Sequence, residues 1–186
     1  MKDISGAITR PERYENLDYS VGDPDSKEKG SGARANSGKA DYSLQPLYQL
    51  VDQLHEYDVA VAGVLNGMAN FQITHNPVHL YDCMEILFVN IDDKADLSFF
   101  MDEVCKVWAD GKIKYNAWNW SKGMPWSVAL ACGVRHILEL TNGFDVDDKE
   151  SGHKTWAHAV CNIQMLIHYT QYYPEGNDLP TWGIQK

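Results

Sequence analysis

Four carboxylates fall within six residues of this chain, in the stretch DVDDKE that begins at residue 145. Like charges at this density repel one another, so such a cluster usually lies next to a cation. Metal ions and phosphates are the candidate partners, and a solvated acidic connection between two helices is the alternative. The neighbouring residues with useful chemistry are Arg135, His136, His153, His158 and Asn162.

The spacing of the polar residues predicts that they face one another. Lys154, His158 and Asn162 are four residues apart and would share one helix face, as would Arg135 and Glu139. If the two helices pack antiparallel across the acidic connection, these groups converge beside it. Carboxylate and imidazole ligands suit Mg²⁺ or Mn²⁺. The alternatives are histidines hydrogen-bonded in the core and an ordinary ion pair between the arginine and the glutamate.

A third element, KIKYNAWNWSKG at residues 112–123, mixes lysines with aromatic residues. Lysines can hold phosphates, and aromatic rings can stack a nucleobase. The tryptophans could instead anchor an irregular loop onto the core. Lys114 and Asn119 are the better ligand candidates, because neither is needed for burial.

Composition limits the classes of function. The chain has 186 residues, which suits one domain, and its net charge is −10. Residues 1–40 are neutral, so residues 41–186 carry the whole acidic excess. This excess argues against binding of duplex nucleic acid but permits a nucleotide held through a divalent metal. The chain lacks an 18-residue apolar run and a secretory h-region, so we expect a cytoplasmic protein without a membrane span.

Periodicity predicts an all-α protein, a bundle of four to five helices with an extended N-terminal arm. Apolar residues recur at helical spacing over 47–65, 93–110, 125–140 and 151–173, and residues 78–91 read as a helix or, less strongly, a strand. We expect a turn at about 66–77, a helix stop at Gly111 and an N-cap at Ser151. The four cysteines, none in a C-x-x-C spacing, read as small buried hydrophobes.

The predicted domains are a flexible or partner-binding arm at 1–40, a helical nucleotide-binding domain at 41–173 and a C-terminal tail at 174–186. The composition of 1–40, rich in Gly, Ser and charged residues, is typical of an extended segment.

Three blocks of residues resemble a phage and bacterial family, the domain found at the N-terminus of dATP/dGTP diphosphohydrolases and also alone in phage genomes. The resemblance covers about 41–173 and is interrupted at about 50–95, which look like an insertion. One departure is Gly143-Phe144, where the family has Gly-Glu. The matching residues are Asn36, Gly38, Lys39, Ser43, Leu44 and Pro46; Gly111, Lys114, Tyr115, Asn119 and Trp120; and Arg135, His136, Asp147, Glu150, Ser151, Gly152, His158 and Asn162.

The resemblance implies a metal-dependent pyrophosphohydrolase that acts on purine (deoxy)nucleoside triphosphates with Mg²⁺ or Mn²⁺. Asp145 would replace the missing glutamate. The implied catalytic residues are His158, Arg135 and Lys114; the substrate-binding residues are Lys39, Tyr115, Asn119, Trp120, His136 and Asn162; and the metal ligands are Asp145, Asp147, Glu150 and His153.

Two other functions stay open. The same site could hold a nucleotide, including a cyclic one, without cleaving it, as in a protein that sequesters or senses nucleotides. A structural helical assembly protein would make no use of the polar cluster. We also expect a homo-oligomer, since related helical nucleotide hydrolases commonly build sites between subunits.

Overall fold

The predicted all-α class is confirmed. The computed structural model describes residues 22–54, 58–91 and 96–181. These residues form six α-helices: α1 (Tyr48–Leu54), α2 (Val59–Thr74), α3 (Val78–Asn90), α4 (Leu97–Tyr115), α5 (Trp126–Glu139) and α6 (Thr155–Tyr172). Short 3₁₀ turns lie at Tyr42–Leu44, Asn119–Lys122, Leu140–Asn142 and Pro174–Gly176. In this part of the chain, no helix is both long enough and apolar enough to cross a membrane.

The turn predicted at about 66–77 is wrong over most of its length, because α2 continues to Thr74. Gly67 is a point of close approach between α2 and α3. A Cβ at this position would lie 2.3 Å from the Cys83 sulfur and 2.9 Å from the carbonyl oxygen of His79. The glycine therefore permits helix packing rather than a turn. Helix α2 ends at Thr74 and is capped by His75 in the left-handed conformation. The possible strand at 78–91 is helix α3.

Two predicted helix ends also differ. Helix α4 passes Gly111 and ends at Tyr115, and its last turn carries Lys112 and Lys114. Cations there interact favourably with the negative end of the helix dipole. Helix α6 begins at Thr155 rather than after Ser151, and the Ser151 hydroxyl bonds instead to Asp148 and to His158 of α6.

The core is centred on α6, which packs on α5, α4 and α3. Trp156 at its start is 2% exposed and stacks on Phe100 of α4, with ring centroids 5.1 Å apart. Gly133 of α5 faces Asn162 of α6 and Met68 of α2 at close distance. These contacts hold the facing surfaces of α5 and α6 in a fixed position. Of the four cysteines, Cys105 is exposed, so the prediction of a buried residue is wrong there.

Residues 22–40, which we call the strap, cross the helical body. The amide of Gly32 donates to Gly123 O (2.9 Å), and the amide of Ala35 donates to the Tyr115 hydroxyl (2.7 Å). Ala33 and Ala35 are buried. This part of the predicted flexible arm is thus packed on the chain's own helices, whereas residues 1–21 lie outside the described residues.

The tail likewise contacts the body, as far as Pro180, whose carbonyl oxygen lies 3.2 Å from His75 Nε2. Asp178 accepts hydrogen bonds from the amide and the hydroxyl of Ser127 at the start of α5, and Leu179 is buried. Residues 182–186 of the predicted tail lie outside the described residues.

Candidate functional site

A cavity of about 910 Å³ lies between the strap, the C-terminal half of α4, the 116–124 loop, α5, the acidic connection and α6. This volume is within the range of small-molecule sites. Its lining brings together residues that are distant in sequence, including Lys39, Lys114, His136, Glu150 and His158.

The lining has the opposite charge balance to the whole chain. The cavity is lined by six Lys or Arg residues against four carboxylates, whereas the chain has 16 basic and 26 acidic residues. The basic residues are Arg34, Lys39, Lys112, Lys114, Arg135 and Lys149, and the acidic residues are Asp110, Glu139, Asp148 and Glu150. A local basic excess in an acidic protein favours an anionic ligand.

Glu150 joins two of these lysines. Its two carboxylate oxygens accept hydrogen bonds from Lys114 Nζ and Lys39 Nζ, each at 2.8 Å. Burial opposes ionisation of Glu150, but the two lysines outweigh it and lower its pKa to about 2. The carboxylate therefore neutralises the lysines that the sequence analysis assigned to catalysis and substrate binding.

Asp148 organises the acidic connection through one oxygen. Its Oδ1 accepts from the amides of Glu150 (3.1 Å) and Ser151 (2.8 Å) and from the Ser151 hydroxyl (2.9 Å). Burial raises the pKa of Asp148, but the hydrogen bonds from Ser151 and the nearby His158 bring it below its ordinary value. The other oxygen, Asp148 Oδ2, lies 3.8 Å from Nδ1 of His136.

The hydrogen bonds of Ser151 fix the tautomer of His158. The single hydroxyl proton of Ser151 is donated to Asp148, so His158 Nε2, 2.7 Å from the same oxygen, must be the donor to it. The lone pair of His158 is then on Nδ1. Burial lowers the pKa of His158 to about 4, although Asp148 opposes this, so the ring is neutral at pH 7.

His136 stacks on His158, with ring centroids 4.9 Å apart. Burial, followed by the neighbouring His158, lowers the pKa of His136 to about 3. Its Nδ1 is buried, and among the described residues it has no hydrogen-bond partner. Nδ1 lies 3.9 Å from Glu139 Oε2 as well as close to Asp148. These three residues are the group of potential metal ligands that converges in the described part of the chain.

The predicted metal ligands do not form one cluster. Asp145 and Asp147 are 98% and 57% exposed, and both pair with Lys154, at 2.6 and 3.0 Å. Glu150 faces the cavity, but it is bound to the two lysines. His153 lies 3.9 Å from Asp110 through Nε2. Sequence proximity does not fix side-chain direction: the connection turns Asp145 and Asp147 toward Lys154 and solvent, whereas Asp148 and Glu150 line the cavity.

The strap contributes two arginine contacts to the site, and one of the two arginines, Arg34, was not predicted from the sequence. Arg34 donates to Asn162 Oδ1 at 2.7 Å. Arg135 donates to Asn36 Oδ1 (3.2 Å) and Ala40 O (3.0 Å), so these hydrogen bonds support the strap. A single arginine in a polar segment carries no periodic signal, and for this reason Arg34 was not among the predicted site residues.

Aromatic residues of α4 and the 116–124 loop also line the cavity, and we call them the aromatic wall. Trp120 packs on Trp108, with ring centroids 4.8 Å apart, which agrees with a packing role. Trp118 is 72% exposed at the edge of the cavity. Between them Asn119 is buried, and neither of its amide atoms has a hydrogen-bond partner among the described residues. A buried unpaired amide is costly, so Asn119 is a candidate for contact with a ligand.

Residues 97–179 match the family model described as dATP/dGTP diphosphohydrolase, N-terminal. The predicted family resemblance is confirmed over this segment. A protein of Salmonella phage PMBT28, described as dATP/dGTP diphosphohydrolase, is 34% identical over 89 residues. The match covers 46% of this chain and 30% of the relative, so the chain corresponds to less than a third of the relative's length. No solved structure matches significantly.

The family match begins at the start of α4. It includes Lys114, Arg135, His136 and the acidic connection, but it excludes the strap, and with it Arg34 and Lys39. The first block of the predicted resemblance, residues 36–46, thus lies outside the matched segment. The strap nevertheless completes the cavity that the matched segment forms.

Proposed function

We propose that the chain is a nucleotide pyrophosphohydrolase, which converts a purine deoxynucleoside triphosphate to the monophosphate and pyrophosphate. A water oxygen would bond to the α-phosphorus, the α–β anhydride bond would break, and pyrophosphate would leave. The observation that carries the proposal is the basic lining of the cavity in a chain of net charge −10. The description of the matched family as a dATP/dGTP diphosphohydrolase domain supports the substrate class.

The basic residues give the cavity the charge that a triphosphate requires. Lys39 and Lys114 lie on opposite oxygens of Glu150, so the carboxylate holds the two ammonium groups near each other. Phosphate oxygens would compete with that carboxylate for both lysines. Arg135, held by the strap, adds a guanidinium to the lining of the same cavity. These groups would stabilise negative charge as it develops on the phosphates.

The proposed reaction includes Mg²⁺ or Mn²⁺. The donor set that faces the cavity, two carboxylates and a neutral imidazole, fits a divalent cation. When bound, such an ion neutralises phosphate oxygens and lowers the pKa of a coordinated water.

His158 would act as the general base, supported by Ser151 and Asp148. With Nε2–H donated to Ser151, the ring would accept a proton at Nδ1, and Asp148 would stabilise the resulting charge through the shared serine. The low pKa of His158, about 4, makes the ring a weak base in the free protein. A phosphate ligand would raise that pKa by adding negative charge nearby.

The base would lie against the aromatic wall. Trp118 offers an exposed ring for stacking, while Asn119 offers a donor and an acceptor on one amide. Tyr115 is engaged by the strap through its hydroxyl and would act through its ring.

A second candidate function is nucleotide binding without cleavage. Phe144, where the family has Glu, packs against the core and brings no carboxylate to the cavity. The chain also matches only part of its relative, so chemistry of the whole relative need not lie in this segment. The predicted homo-oligomer and cytoplasmic location stay predictions.

A turnover assay separates the two functions. The full chain is incubated with dATP, dGTP, dCTP and dTTP, with Mn²⁺ or Mg²⁺, and products are resolved by anion-exchange chromatography. Purine monophosphate plus pyrophosphate supports the hydrolase, and nucleotide binding without products supports the binding protein. Lys114→Met should lower kcat/KM at least tenfold. Lys154→Met, which removes a lysine paired outside the cavity lining, should change it less than twofold. Neither product nor binding with any nucleotide would refute the proposal.

A further inference from the structure

The side chains of His136, Glu139 and Asp148 bring three potential metal-ligand atoms close together. Nδ1 of His136 lies 3.8 Å from Asp148 Oδ2 and 3.9 Å from Glu139 Oε2, and all three ligand atoms lie within 4.8 Å of one another. A first-row divalent ion such as Zn²⁺ holds nitrogen and oxygen ligands at about 2.0–2.2 Å, so in octahedral geometry neighbouring ligand atoms would lie about 3.0 Å apart and opposite ones about 4.2 Å apart. Shifts of less than about 1 Å would bring the three atoms onto one ion.

Two of the three atoms, Asp148 Oδ2 and His136 Nδ1, lie free of the hydrogen bonds that organise the acidic connection. Asp148 uses Oδ1 for the hydrogen bonds of the acidic connection and leaves Oδ2 facing the histidine. His136 Nδ1 is buried and has no hydrogen-bond partner among the described residues. A buried unpaired nitrogen between two carboxylates is unfavourable without a ligand, and a bound cation would remove both the unpaired atom and the repulsion between the carboxylates.

The position of the group leaves room for further ligands. His136 and Asp148 are largely buried, with side chains 14% and 12% exposed, while Glu139 is 45% exposed. All three line the cavity. An ion held by these three side chains would keep coordination positions for groups that enter the cavity, as catalytic sites require.

We propose that His136, Glu139 and Asp148 bind one divalent transition ion, Mn²⁺ in preference to Mg²⁺. The preference follows from the imidazole, because nitrogen ligands favour transition ions, whereas Mg²⁺ takes oxygen ligands and sheds water reluctantly. The claim that this site holds the cation of the proposed reaction rests on the proposed function. The claim that the three residues bind a cation rests only on their geometry.

The test measures metal binding to the full chain without nucleotide. Mn²⁺ is titrated into metal-free protein, and free Mn²⁺ is followed by its electron paramagnetic resonance signal. Glu139→Gln should weaken binding at least tenfold. Asp145→Asn, which removes the same charge from an exposed side chain that was predicted as a ligand, should change it less than twofold. Mg²⁺ should displace Mn²⁺ only at a concentration at least tenfold higher.

A second readout needs no comparison of affinities. Pulsed electron paramagnetic resonance of the wild-type Mn²⁺ complex should show coupling to an imidazole nitrogen, and His136→Ala should abolish that coupling. The site is overturned if wild type has no saturable Mn²⁺ binding, if Asp145→Asn weakens binding as much as Glu139→Gln, or if the coupling survives in His136→Ala.

The outcomes separate this site from the proposed function. Mn²⁺ binding that depends on Glu139 in a protein without nucleotide turnover supports the site and refutes the hydrolase. Metal-dependent turnover in a protein whose Mn²⁺ binding ignores Glu139 supports the hydrolase and refutes the site.

Discussion

Replacing Glu150 by glutamine should strengthen the binding of a polyphosphate. The structure places this carboxylate on both Lys39 and Lys114, at 2.8 Å each, where it occupies the cations that a phosphate would need. A metal ligand at the same position would behave in the opposite way, because its loss would weaken binding. The sign of the effect therefore distinguishes the structural arrangement from the role predicted for Glu150 by sequence.

The size of the effect follows from the exposure of the groups. Two unit charges about 4 Å apart attract by about 1 kcal/mol in water and about 4 kcal/mol at an effective dielectric constant of about 20. Glu150 is 44% exposed and Lys114 only 14%, so the pair lies between surface and interior. Exposed pairs contribute about 0.2–1 kcal/mol, and we take about 1 kcal/mol here. Releasing that energy corresponds to about fivefold tighter binding.

The assay is isothermal titration calorimetry with inorganic pyrophosphate in metal-free buffer. The matched control is Asp147→Asn, which removes a carboxylate paired with Lys154 outside the cavity lining and should leave the affinity unchanged. Weaker binding by Glu150→Gln would show that the carboxylate supports the ligand. Equal binding by wild type and both variants would show that the two lysines do not belong to the anion site.

Three further predictions test other parts of the structure. Gly67→Ala should destabilise the fold by at least about 1–3 kcal/mol in urea unfolding, because its Cβ would overlap the sulfur of Cys83; an unchanged midpoint would contradict the α2–α3 contact. Arg34→Met should weaken dATP binding several-fold in calorimetry, although it lies outside the family match, and unaltered affinity would remove the strap from the site. Burial raises the pKa of the Cys132 thiol, but Arg34 and Arg135 bring it below its ordinary value of 9.0. A thiol whose pKa is lowered by folding contributes stability above pH 9.0 and loses that contribution as the pH falls through the folded pKa. The difference in unfolding free energy between wild type and Cys132→Ser should therefore increase as the pH rises toward 9. A difference that stays constant with pH would contradict the lowered pKa.

Helix content could be predicted from the sequence because apolar spacing reports on it directly. Residues 125–140 and 151–173 show that spacing, and α5 and α6 lie within them. Gly67 and Gly111 were misread because glycine has two uses. At Gly67 it permits a close helix contact, and at Gly111 it is tolerated inside α4. Only the packing of a second helix distinguishes these cases from a turn or a stop.

The residue types near the acidic connection could be read from the sequence, whereas the directions of their side chains could not. The grouping of carboxylates, histidines and lysines near one connection indicated an anion and cation site, and the cavity is lined by Lys114, His136, Glu150 and His158. The direction of each carboxylate could not be predicted, because neighbouring residues in an irregular connection follow its local backbone and hydrogen bonds.

The sequence alone determined the helical class, the family resemblance of the C-terminal half and the residue types available for chemistry, because these depend on local spacing and on motif identity. Tertiary structure decided which groups meet. It turned Asp145 and Asp147 toward Lys154 and solvent, directed Asp148 and Glu150 into the cavity, and laid the strap across α4 and α6 so that Arg34 and Lys39 joined the lining. Such contacts join residues more than a hundred positions apart, and no local pattern in the chain encodes them.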